Sequence, residues 1–162
     1  MRFATVAFSI SCALAALPLA AATAMTSNTP ATTNTSSGGT SATAGLMAQA
    51  QAAVDAGDYA NAIAALNQVV AAEPGNADAL NLLGYSTRSL DRFTEAMGFY
   101  ERALAIDPEH LGANEYYGEL LIKMGDIEGA QERLAVLDEV CFLGCDEYDA
   151  LAEAIDAYMN AE

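Results

Sequence analysis

The sequence is poor in the side chains that most catalytic and metal sites use. Its 162 residues include no tryptophan, one histidine and three cysteines. Histidine titrates near neutral pH and is the commonest metal ligand, so a single histidine supports little of either chemistry. We expect this residue, His110, to be a solvated side chain in a loop. We also expect neither an enzymatic activity nor a bound cofactor.

Positive charge is also scarce. Six Lys and Arg residues stand against 22 Asp and Glu residues, which gives a formal net charge of −16. Nucleic acids and anionic membranes attract proteins through basic patches, so neither is an expected partner. Hydrophobic residues make up 53% of the chain and aromatic residues 7%. Since alanine supplies much of that hydrophobic share, the composition favours a packed helical protein.

The N-terminus has the pattern of a secretory signal peptide. Met1 and Arg2 precede an apolar stretch over residues 3–19, and small residues follow at positions 22–24. A positive start, an apolar middle and an A-x-A end define such signals. We predict that residues 1–24 are a signal peptide cleaved after Ala24. An uncleaved membrane anchor is the alternative, against which Pro18 argues. The expected location is the bacterial periplasm, without membrane insertion after cleavage.

Residues 25–44 follow as a polar segment. They hold seven threonines and four serines, with no charged residue and no large apolar residue except Met25. Such a segment buries too little apolar surface to offset the entropy lost on ordering. We predict a disordered tether over this range.

A 34-residue period organises the rest of the chain. Pro74 and Pro108 are 34 residues apart and divide it into windows 43–76, 77–110 and 111–144. Small and apolar residues recur at the same spacing: Ala62, Ala96 and Ala130; Tyr59, Phe93 and Ile127; Leu66, Tyr100 and Leu134; Val69, Ala103 and Leu137. The apolar residues within a window have helical spacing, and Gly57, Asp91 and Gly125 mark a turn inside each. Each window therefore predicts a pair of helices.

This pattern resembles the tetratricopeptide repeat family. The second window matches closely from Ala77 to Pro108, and the third keeps Tyr117, Gly118 and Ala130. The first has Gln49-Ala50 where Leu-Gly is usual, so its leading helix is the weakest part of the match. The resemblance implies an all-α fold, a three-repeat solenoid of antiparallel helix pairs over residues 45–160.

A final helix is predicted at residues 146–160. Tyr148, Leu151, Ile155 and Tyr158 share one helical face, and Asp146 is placed to cap the helix start. The last repeat of a solenoid exposes an apolar side that needs a cover. We predict that this helix caps the solenoid.

Cys141 and Cys145 have two interpretations. In an exported chain the pair predicts a structural disulfide, with Gly144 allowing the tight turn. The alternative is a copper-binding or thiol-handling site, because C-x-x-x-C is also the spacing in Sco-type copper chaperones. The proline and supporting histidine near that motif are missing here. We favour the disulfide and expect no metal.

The family resemblance implies a concave groove that binds peptides. By position its candidate residues are Asn81, Tyr85, Arg88, Glu115, Glu119 and Lys123. Asn81 is suited to hydrogen-bond a peptide backbone, Tyr85 to act as an aromatic anchor, and Arg88 and Lys123 to meet an acidic group. In the alternative interpretation Tyr85 packs against the next repeat and the charges only aid solubility. The basic pattern that clamps a C-terminal carboxylate is missing.

The predicted function is therefore a non-catalytic interaction module or assembly adaptor in the periplasm, monomeric, with a protein or peptide segment as its partner. Two alternatives stay open. One is a metal- or thiol-handling protein that uses Cys141 and Cys145. The other is a structural protein that self-associates through the end of its solenoid.

Overall fold

A computed structural model describes residues 38–161 and folds them into seven α-helices. The helices are α1 (Gly38–Asp55), α2 (Tyr59–Ala72), α3 (Ala77–Ser89), α4 (Phe93–Ile106), α5 (Leu111–Met124), α6 (Ile127–Val140) and α7 (Asp146–Asn160). No strand occurs in that range, and the predicted all-α fold class is confirmed. The predicted signal peptide and residues 25–37 of the predicted tether lie outside the described residues.

The order of helix contacts defines a curved row. Each helix packs against the next one along the chain, and α1, α3, α5 and α7 also contact one another in series. Within residues 38–161, helices α2, α4 and α6 do not contact one another. The first helix of each pair contacts the first helix of the next pair, whereas the second helices are apart. The row therefore curves toward the side of the first helices. The concave side is therefore built from α1, α3, α5 and α7.

Small residues at the repeated positions bring the two helices of each pair together. Ala62, Ala96 and Ala130 are all fully buried, at the same position of three successive pairs. Seven residues further on, Val69 and Leu137 are fully buried at equivalent positions. Removing such surfaces from water stabilises the fold by about 25 cal/mol per Å². Residues that recur every 34 positions in the sequence are thus buried at equivalent positions in successive helix pairs.

Two glycines mark the closest approaches between helices. A Cβ atom on Gly84 of α3 would overlap the ring of Tyr100 from α4. A Cβ atom on Gly118 of α5 would lie 2.6 Å from the methyl carbons of Leu151 in α7. Leu151 is fully buried there, and Ile155 is 4% exposed. Helix α7 therefore covers the apolar side of the last pair.

The turns within the three pairs share one backbone conformation. Gly57 and Gly125 have φ of 71° and 81°, and Asp91, at the equivalent position of the second pair, has φ of 58°. This left-handed region is open to glycine and costs other residues about 1 kcal/mol or more. The second turn is therefore more strained than the other two.

Side chains cap most helix starts. Asp58, Asn76 and Asp126 accept hydrogen bonds from backbone N–H groups in the first turns of α2, α3 and α6. The prediction that Asp146 caps α7 is wrong. The capping position is Cys145, whose side chain makes no such bond, and Asp146 is the first helical residue. Its carboxylate belongs to an acidic first turn, where it complements the helix dipole.

Helix α1 begins before the predicted end of the tether. It starts at Gly38, so residues 38–44 are helical. Thr43 is 5% exposed, and its hydroxyl donates a 2.5 Å hydrogen bond to the Glu73 carboxylate at the end of α2. This contact spans 30 residues, which local composition cannot reveal. No helix in residues 38–161 is both long enough and apolar enough to cross a membrane.

Candidate functional site

The concave side holds a groove of about 540 Å³. Helices α1, α3 and α5 form its floor and walls, and the first turn of α7 closes one end through Glu147. Three of the six predicted groove residues line it, namely Asn81, Tyr85 and Glu115. The other three, Arg88, Glu119 and Lys123, are not among the lining residues.

Asn81 lies on the groove side of α3. The residue is 7% exposed, and its side-chain oxygen has no hydrogen-bond partner in the described part of the chain. Gly112 of α5 makes room for the amide, because a Cβ atom there would lie 3.0 Å from the Asn81 nitrogen. Buried polar groups are usually hydrogen-bonded, and leaving one unpaired costs about 1–3 kcal/mol. Asn81 therefore places a buried, unpaired amide oxygen in the wall of the groove.

Tyr85 packs against neighbouring repeats and also lies at the groove. Its ring lies 6.1 Å from that of Tyr59 and 5.0 Å from that of Tyr116, centroid to centroid, so it packs against the next repeat. It also lines the groove, as does Tyr116. Sequence reasoning missed Tyr116, although it stands four residues after Gly112 and therefore on the same face of α5 as that lining residue.

Arg88 is occupied within the protein. Its guanidinium forms an ion pair with Glu119 of α5, and the Arg88 side chain is 11% exposed. The guanidinium carbon also lies 5.5 Å from the ring centroids of Tyr85 and Tyr116. Cations so placed are attracted to the ring faces. Arg88 thus links α3 to α5. The sequence had suggested that Arg88 would meet an acidic ligand, but its guanidinium is already paired within the protein.

Lys123 lies away from the groove as well. It is exposed near the end of α5, and its ammonium nitrogen lies 5.7 Å from the ring centroid of Phe93 in α4. Neither of the two cations predicted to receive an acidic group is therefore among the groove-lining residues.

Carboxylates dominate the charge of the groove lining. Asp55 accepts a 2.9 Å hydrogen bond from Gln51, whereas Glu115 and Glu147 have no hydrogen-bond or ion-pair partner among residues 38–161. The pKa of Glu115 is raised to about 7, mainly by burial and also by the nearby carboxylates of Glu119 and Glu147, against a smaller lowering by Arg88. Among residues 38–161, Glu115 therefore has no ion-pair partner of its own.

His110 is not the solvated loop residue that the sequence suggested. Its side chain is 13% exposed and lines the groove. One ring nitrogen, Nδ1, accepts a hydrogen bond from the backbone N–H of Ala113, which caps α5. The other, Nε2, lies 3.1 Å from the carboxylate of Asp78. Since Nδ1 accepts, Nε2 carries the proton and donates to Asp78. His110 therefore ties α5 to α3 and satisfies Asp78.

The cysteine loop lies between α6 and α7. The sulfur atoms of Cys141 and Cys145 are 2.00 Å apart and the Cα atoms 5.6 Å apart. Gly144 has φ of 87°, the conformation that the tight turn requires. Within residues 38–161 no cluster of three or more histidine, cysteine or acidic residues is arranged to hold a metal ion.

Two models of the tetratricopeptide repeat family match the chain, one over residues 47–110 and the other over residues 88–140. Together they cover 47–140, more than half of the sequence. The chain belongs to the tetratricopeptide repeat family. No curated protein sequence matches it.

Solved structures share this fold. The Sgt2 TPR domain from Aspergillus fumigatus has a TM-score of 0.66 at 22% identity, covering 74% of this chain and 78% of its own. The TPR2B domain of yeast Sti1, solved as a pHsp70 complex, has a TM-score of 0.68 at 16% identity, covering 75% and 99%. The first TPR domain of Spaghetti (RPAP3), bound to the HSP90 peptide SRMEEVD, has a TM-score of 0.65 at 17% identity, covering 74% and 94%.

Proposed function

We propose that this protein is a non-catalytic interaction module that holds a segment of a partner protein in its concave groove. The observation that carries the proposal is the groove itself, in which the unpaired, buried amide oxygen of Asn81 lies beside Tyr85 and Tyr116. A peptide backbone carries donors and acceptors at every residue, so it is the ligand that such an amide suits. Tyrosines supply contact area at low entropic cost.

The fold neighbours support this proposal. The yeast Sti1 domain was solved with pHsp70 and the Spaghetti domain with an HSP90 peptide. Both resemble this chain in fold at low sequence identity, so they support the class of ligand and leave its sequence open.

The compartment belongs to the same proposal. The signal-like pattern of residues 1–24 supports export to the periplasm and cleavage after Ala24. An oxidising compartment is where a Cys141–Cys145 disulfide persists. The mass of the protein isolated from a periplasmic extract without reductant tests both points. We expect a chain that begins at Met25 and weighs two hydrogens less than its reduced form. An intact N-terminus, or two free thiols, would contradict this part.

Binding is tested by selecting peptides from a random-peptide library on the immobilised protein. Selected peptides are then titrated against the wild type, Asn81→Ala and Asn67→Ala. Asn67 is an exposed residue of α2 on the convex side, so its replacement is the same chemical change outside the groove.

We expect Asn81→Ala to weaken binding by about tenfold, since a lost hydrogen bond in a desolvated site costs about 1–2 kcal/mol. Asn67→Ala should bind like the wild type. The Asn81→Ala protein should remain folded, because the change removes an unsatisfied buried group. Equal affinities for all three proteins would overturn the groove as the binding site.

A further inference from the structure

The charge of the groove narrows the kind of segment that it can hold. Its lining includes the carboxylates of Asp55, Asp78, Glu115 and Glu147 and no lysine or arginine. Asp78 is satisfied by His110, and the nearest arginine, Arg88, is paired with Glu119. The HSP90 peptide bound by the Spaghetti domain, SRMEEVD, carries three acidic residues. A segment of that charge would meet repulsion here.

Glu115 and Glu147 form the uncompensated part of this lining. They come from different helices, α5 and α7, both line the groove, and the charge of Glu147 acts on Glu115. On α5, Glu115 also stands four residues before Glu119, a spacing at which like charges destabilise a helix. Arg88 forms its ion pair with Glu119 and lowers the pKa of Glu115 only as a minor influence. What is missing beside Glu115 is a second positive group.

A second, independent feature of the same groove is an unpaired polar side chain. The Asn81 side chain lines the groove on α3 and is more than nine-tenths buried with its oxygen unpaired. The uncompensated acidic pair calls for a ligand with a positive charge. The unpaired amide calls for a ligand with a hydrogen-bonding group, such as a peptide backbone. Together the two describe a basic segment of a polypeptide.

We propose that the groove binds a basic segment of a partner protein, with a lysine or arginine side chain seated between Glu115 and Glu147 and the segment's backbone hydrogen-bonded to the Asn81 amide. This inference rests on the proposed function and adds the charge of the partner. A buried cation beside two carboxylates makes charge-assisted hydrogen bonds, which are about twice as strong as neutral ones. The raised pKa of Glu115 is consistent with such a missing cation.

The test uses the peptides selected from the random library on the wild-type protein. The first readout is composition: lysine and arginine should be enriched relative to the unselected library, and aspartate and glutamate depleted. The second readout is the affinity of the most enriched peptide, at fixed ionic strength, for a groove variant that combines Glu115→Gln with Glu147→Gln.

A matched control separates a seated cation from general attraction to an acidic protein. Asp138→Asn with Glu139→Gln removes two carboxyl groups from the exposed end of α6, and so changes the formal net charge equally. We expect the groove variant to bind about tenfold or more weakly and the control to change by less than about twofold. The groove variant should fold, because it removes like-charge repulsion.

The outcomes distinguish this inference from the proposed function. Selected peptides without basic enrichment, which still lose affinity for Asn81→Ala, would overturn the charge inference and leave the interaction module standing. An equal loss in the groove variant and the control would also overturn it, because the attraction would then be nonspecific. Peptides insensitive to Asn81→Ala would overturn both.

Discussion

At the scale of the residue, the groove is defined by which charges are satisfied inside the protein. Arg88, a candidate for binding an acidic ligand, is paired with Glu119 and lies against two tyrosine rings. His110 satisfies Asp78. Glu115 has neither an ion-pair partner nor a hydrogen-bond partner among residues 38–161, and this unpaired carboxylate gives the groove its negative character.

Glu115 should make the stability of the protein depend on pH. Its pKa is raised in the folded state to about 7, so its contribution to stability is full below its unfolded value near 4.5 and is lost as pH rises through 7. Glutamine does not titrate, so the Glu115→Gln variant does not lose this stability as the pH rises. We expect the variant to match the wild type at about pH 5 and to exceed it at about pH 8 by on the order of 1 kcal/mol, discounted for partial exposure.

Thermal unfolding at the two pH values measures this difference, with Glu139→Gln, an exposed site, as the control. The groups that face Glu115 are Glu119 on α5, Glu147 on α7 and Arg88 on α3. A gain of equal size at both pH values, or no gain at the higher one, would show that Glu115 is not held in its neutral form by these surroundings.

The strained turn of the second repeat offers a test of backbone conformation. Asp91 has φ of 58° where Gly57 and Gly125 stand in the other repeats. We expect Asp91→Gly to stabilise the fold by about 0.5 kcal/mol and Gly125→Ala to destabilise it by about 1 kcal/mol, measured by urea unfolding. Asp91→Ala removes the same charge but keeps the strain, and should not stabilise. A gain for Asp91→Ala as large as that for Asp91→Gly would point to charge as the cause.

At the scale of the helix, close packing between α3 and α4 depends on one glycine. Gly84 faces the rigid ring of the fully buried Tyr100, whereas Gly98 on α4 has no atom within 4 Å of where a Cβ would stand. We expect Gly84→Ala to destabilise the fold by about 2–3 kcal/mol through overpacking. Gly98→Ala should stabilise it by about 1 kcal/mol through helix propensity. Urea unfolding of both variants measures this, and changes of the same sign would contradict the packing described here.

The helices could be predicted where their determinants repeat in the sequence. Ala62, Ala96 and Ala130 recur at one spacing because each fills the same narrow contact, so the period revealed the pairs. The start of α1 and the role of His110 could not be predicted in this way. They depend on Thr43 meeting Glu73 and on His110 meeting Asp78, contacts that span 30 and 32 residues.

In the candidate site, too, features set by helical spacing could be predicted, and contacts between distant residues could not. The helical face that carries Asn81, Tyr85 and Glu115 follows from spacing and the family resemblance, and all three residues line the groove. The pairing of Arg88 with Glu119 depends on the distance between α3 and α5. Sequence reasoning therefore found the groove, but the two cations that it assigned to the lining, Arg88 and Lys123, are not among the lining residues.

At the scale of the whole molecule, the acidic groove belongs to a strongly acidic chain. The net charge of −16 attracts any basic peptide at long range and speeds its approach. Long-range attraction is screened by salt, whereas a cation seated between two carboxylates is screened less. A segment bound in the groove is therefore distinguished from a basic peptide attracted nonspecifically by its position between Glu115 and Glu147, and by a weaker dependence of its affinity on salt.

The most direct measurement is to map where a selected peptide binds, by following the backbone amide signals of the isotope-labelled protein by NMR during titration. We expect shifts at groove residues of α1, α3 and α5 and at the start of α7, with α2, α4 and α6 largely unaffected. Shifts confined to the convex helices, or to the exposed Phe142 and Leu143 of the cysteine loop, would contradict the claim that the groove is the binding site.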